Sequence, residues 1–122
     1  MDHQATDVAA YRHDSLRVFG REAMPRFDFI LERLEHPDAR ACRECADLIG
    51  AQLRAFAAEA YFLGLLRSHR LARRAASSLM RHDCQAHGDD RSALLELTRH
   101  AVRELRQELH SELETLLPGG GA

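Results

Sequence analysis

The chain contains no lysine, so apart from histidine its seventeen basic side chains are all arginine. They are spread along the sequence and outnumbered by nineteen acids, which leaves a net charge of −2. Dispersed arginine under an acidic balance reads as a coding bias and argues against a phosphate-gripping surface, hence against a nucleic-acid partner. Apolar runs of membrane-spanning length are missing, and "MDHQATDVAAYRHD" has no signal-peptide pattern. No membrane association and a cytoplasmic setting are therefore expected. There, three cysteines serve as thiols or ligands rather than disulfides. Nothing alternates with a period of two, which excludes a sheet. The chain also lacks a nucleophile–base pair, a glycine-rich loop and a bridging pair of acids, so it does not read as an enzyme.

What is present is helical periodicity broken by a few stops. "EHPD" (Glu35–Asp38) and "HGDD" (His87–Asp90) break the chain, and "PGGGA" (118–122) is a flexible tail. Asp38, after Pro37, suits a helix cap. Ala9, His13, Leu16, Ala23, Phe27, Ile30 and Leu34 form a first apolar stripe, and Pro25 kinks or divides its helix. Cys45, Ile49, Phe56, Ala60 and Leu63 form a second stripe. Leu65, His69, Ala72, Ala76 and Met80 form a third, which a continuous helix would place nearly opposite the second. Two helices joined near Gly64 bury both. Leu94, Ala101, Leu105, Leu109, Leu113 and Leu116 form the fourth. The spacing predicts helices over about 6–35, 38–63, 65–87 and 90–117, with boundaries good to roughly three residues. They make one all-α domain over 1–117, an antiparallel up-down-up-down four-helix bundle.

Folding the chain back at each turn converts position into height. His13, Glu59, His69 and His110 fall in one slab, where bundles assemble metal sites from inward side chains. His110 and Glu114 share a helix face, although Leu105, Leu109 and Leu116 point about a quarter turn or more away from it. At the opposite end Cys42 and Cys45 meet Cys84, with His36, His82 and His87 nearby. Three thiols and an imidazole suit tetrahedral zinc or Cu(I). Each group also has a plainer reading. A core histidine is satisfied by hydrogen bonding, a buried cysteine packs as a small hydrophobe, and "RSHRLARR" is an exposed face with glutamate partners.

"YRHDSLR" around His13, "LRSHRLARR" around His69 and "HSELETLLP" around His110 together resemble the ligand helices of hemerythrin-like (HHE) bundles. In that family the first and third helices carry a histidine, and the second and fourth carry His-x-x-x-Glu. Here "LRAFAAEAYF" departs from the pattern: Phe56 and Ala60 stand where the second His and Glu would be, and Glu59 lies one position away. The resemblance implies iron in a depleted site held by His13, His69, His110 and Glu114, with Glu59 adjacent, serving sensing, storage or O2 handling. "RECADL" faintly resembles cysteine-rich copper-storage bundles, without their cysteine ladder. The competing expectation is a metal-free helical adaptor or chaperone acting through a protein partner or a homodimer. Phe56 and Ala60 favour it by filling ligand space with carbon.

Overall fold

The computed structural model describes residues 2–35, 43–85 and 89–117. Four helices account for almost all of them: α1 (Asp2–Glu35), α2 (Arg43–Phe62), α3 (Leu66–Gln85) and α4 (Asp89–Leu116). The described residues contain no strand. No helix among them is long and apolar enough to cross a membrane.

α1 runs unbroken through Pro25. Proline removes one intrahelical hydrogen bond and crowds the carbonyl four residues back. Arg21 and Pro25 are both exposed, so water can satisfy the freed carbonyl and the helix continues. The break between α2 and α3 has a local cause. Gly64 adopts φ +80, Leu65 N–H donates to the Ala60 carbonyl at 2.8 Å, and Gly64 N–H donates to the Tyr61 carbonyl at 3.1 Å. This is a Schellman ending, with glycine in the left-handed position that a Cβ disfavours. Its usual apolar clasp is present, since Leu65 and Ala60 are both fully buried.

The four helices pack around one apolar core. α3 lies against α2 and α4, whereas α1 leans on α4 and meets α2 lightly. Gly20 lets α1 approach α4 closely, because a Cβ there would stand 2.5 Å from Leu113 Cδ1. Phe56 packs from α2 onto α1, stacked on Phe19 at 5.0 Å and edge-on to Phe27 at 4.8 Å.

The buried faces are wider than single stripes. α1 adds Phe19, α2 adds Leu53 and Ala57, and α3 adds Ser68, Ala75 and Leu79. On α4, Leu95, Thr98 and Val102 are buried, as is Leu117 just past its end, while Leu116 is only partly so. A helix clasped by two neighbours turns more than one row of side chains inward. Asp38, and the side chains of Ala9, Met80 and Leu94, lie outside the described residues.

Candidate functional site

The first turn of a helix presents backbone N–H groups with no partner inside the helix. At α3 they are met from a neighbouring helix. Glu112 of α4 accepts from Ser68 N–H at 2.6 Å and Ser68 Oγ–H at 2.7 Å, and more weakly from Arg67 N–H at 3.4 Å. Ser68 is fully buried, so its hydroxyl requires such an acceptor. A carboxylate at a helix N-terminus also meets the positive end of the helix dipole. Glu114, the acid of this helix that the sequence offers as a ligand, stays exposed. Glu112, two residues earlier, is the one that reaches inward. Its signal was a serine in the first turn of a helix and an acid four residues after Glu108.

The expected metal slab does not converge. His69 Nδ1 donates to the Ala57 carbonyl at 2.8 Å, and its ring lies 5.2 Å from that of Tyr61. It is a half-buried residue of the α2–α3 seam. Ser68 takes the inward position that periodicity had assigned to His69. His13 lies seven residues before Gly20, and so falls on the α1 face turned towards α4. His110 is exposed, pairs with Glu114 at 3.0 Å, and lines a groove with Met24, Asp28, Leu31, Arg103, Arg106 and Gln107. Glu59 is exposed on α2. His110 and Glu114 thus share a face as their spacing required, but on the outside. Among the described residues no group of three or more His, Cys, Asp or Glu side chains could hold an ion. The ligand set, as these residues stand, does not fit a shared iron.

The thiol cluster falls largely beyond what the structure describes. Cys42, His36 and His87 lie outside the described residues, as do the side chains of Cys45, His82 and Cys84.

Charge is distributed unevenly over the surface. Between α1 and α4 the arginines have acids: Arg103 with Glu35 at 3.0 Å, Arg99 with Glu35 at 3.6 Å, and Arg106 with Asp28 at 3.0 Å. α3 differs, because no acid occurs between Glu59 and Asp83. Arg67 reaches Glu108 of α4 at 3.3 Å, but Arg70, Arg73 and Arg74 are exposed without a carboxylate partner among the described residues. Among the described residues, the glutamate partners expected for this run are seen for Arg67 alone. Beside these arginines stand Tyr61, 60% exposed, and Leu66, 47% exposed. Comparison with known proteins found no matching family model, no matching curated protein and no matching solved structure.

Proposed function

We propose that this chain is a helical adaptor that binds an acidic segment of another protein along α3, without requiring a metal. The observation that carries this reading is the uncompensated arginine row Arg70, Arg73 and Arg74. Arginines left without acids keep their attraction for a partner's carboxylates, which they can grip bidentately. Tyr61 and Leu66 add apolar anchors at one end of the row, and an aromatic residue near arginine suits a protein interface. The cytoplasmic setting and single-domain organisation expected from the sequence accompany this reading.

The reading takes the bundle as antiparallel, up-down-up-down. In support, Glu35, Asp28 and Gly20 of α1 meet Arg103, Arg106 and Leu113 of α4 in opposite chain order. Arg12 lies by Gly64, while Phe19 lies by Phe56, so α1 and α2 are opposed in the same way.

The test uses fluorescence anisotropy with a labelled amphipathic peptide of glutamate and leucine. Binding should weaken steeply with salt and be lost in the Arg70→Glu/Arg73→Glu variant, whose circular dichroism should stay helical. Tighter binding of duplex DNA than of the peptide would replace this reading with a nucleic-acid one.

Iron binding is the second reading. Its support is the orientation of His69, whose Nδ1 donates to a carbonyl and leaves Nε2 without a hydrogen-bond partner among the described residues, as in metal-bound imidazoles. It requires iron in protein purified without an affinity tag, and the loss of that iron in His69→Ala.

A further inference from the structure

α2 has two apolar faces. The inner one packs Ile49, Leu53, Phe56, Ala57 and Ala60 into the core. The outer one consists of Leu48, Ala51, Ala55, Ala58 and Phe62, all exposed. Leu48 is 64% exposed and Phe62 87%. Steps of three, four, three and four residues are the spacing of a coiled-coil seam, with Leu48, Ala55 and Phe62 at its first core position and the two other alanines at its second. No described residue covers this face, and the inner face of the same helix already packs into the core.

We propose that a second copy of this chain docks on this face, α2 against α2, parallel and in register. The charges flanking the seam select that occupant. Asp47 and Arg54 lie along one rim, Gln52 and Glu59 along the other. Arg54 and Glu59 have no ion-pair partner among the described residues. At five residues apart they do not face each other within their own helix. In a parallel pair, a residue on the first rim meets the residue five positions later on the other helix's second rim. Arg54 of each copy then meets Glu59 of the other, and Asp47 meets the Gln52 amide. Two ion pairs related by the two-fold axis form without a like-charge contact. An antiparallel pair sets Arg54 against Tyr61 and Glu59 against Gln52, and forms no ion pair. The surface is therefore complementary to itself in one orientation, as an isologous dimer requires. Glu59, offered by the sequence as a ligand, here becomes a pairing residue. The inference stands apart from the acidic-partner reading, whose arginines lie on α3.

Sedimentation velocity of the full chain over a wide concentration range tests it. The expected result is a concentration-dependent shift from the mass of one chain to that of two. Phe62→Glu should leave only the single chain, and Arg54→Glu should weaken the dimer about tenfold or more. Arg54→Glu combined with Glu59→Arg should restore the dimer by reversing the pair. Circular dichroism should stay unchanged throughout, since every substituted position is exposed. A single-chain mass at all concentrations, a dimer that survives Phe62→Glu, or a charge reversal that does not rescue, would each overturn the proposal.

Discussion

Glu112 holds the start of α3 from across the bundle, so its loss should be felt beyond one surface carboxylate. Replacing it with alanine strands Ser68 N–H and a fully buried hydroxyl. The expected cost is about 1–2 kcal/mol, in the range of a lost cap, read as a lower urea midpoint at unchanged slope. Glu112→Gln keeps an acceptor oxygen and should lose less than alanine. Phe56→Ala belongs to another class, since it removes a ring held between Phe19 and Phe27. The cavity should cost about 3–5 kcal/mol in the same urea titration. Glu114→Ala should change stability little, because an exposed His–Glu pair contributes weakly. Candidate ligand residues were legible in the sequence. Their directions were less so, because one residue's step along a helix turns a side chain by about 100°. That step separates Ser68, buried, from His69 at the seam.

At the scale of elements, the α2–α3 turn depends on one backbone angle. Gly64→Ala places a Cβ at φ +80, and should cost on the order of 1 kcal/mol through the left-handed penalty. The same turn was readable from opposed stripes flanking a glycine. Continuity of α1 through Pro25 was not, because it depends on whether the freed carbonyl faces water or core. The exposed face of α3 was visible as "RSHRLARR". What the arginines lack could be learned only once α4 was seen to offer Glu108 to Arg67, with Arg70, Arg73 and Arg74 left without a carboxylate among the described residues.

For the whole molecule, metal content separates the two functional readings most cleanly. Tag-free protein prepared under reducing conditions should hold far less than one iron per chain, and His69→Ala should not change that figure. Stoichiometric iron that disappears in His69→Ala would sink the adaptor reading in its metal-free form. The expectation follows from the separation of the candidate ligands: His69 on the α2–α3 seam, His110 and Glu114 outside, Glu59 on the outer side of α2.

Amino-acid order by itself determined the all-helical class of the described residues, four segments, the break at Gly64, and most of each inward row. Those follow from local propensity and a period of 3.6 residues. The tertiary structure alone decided which helix lies against which, and therefore which polar groups become partners. Glu112 and Glu114 are chemically identical and two residues apart. About 200° of helical rotation turns one towards α3's free N–H groups and the other towards solvent, where it meets His110.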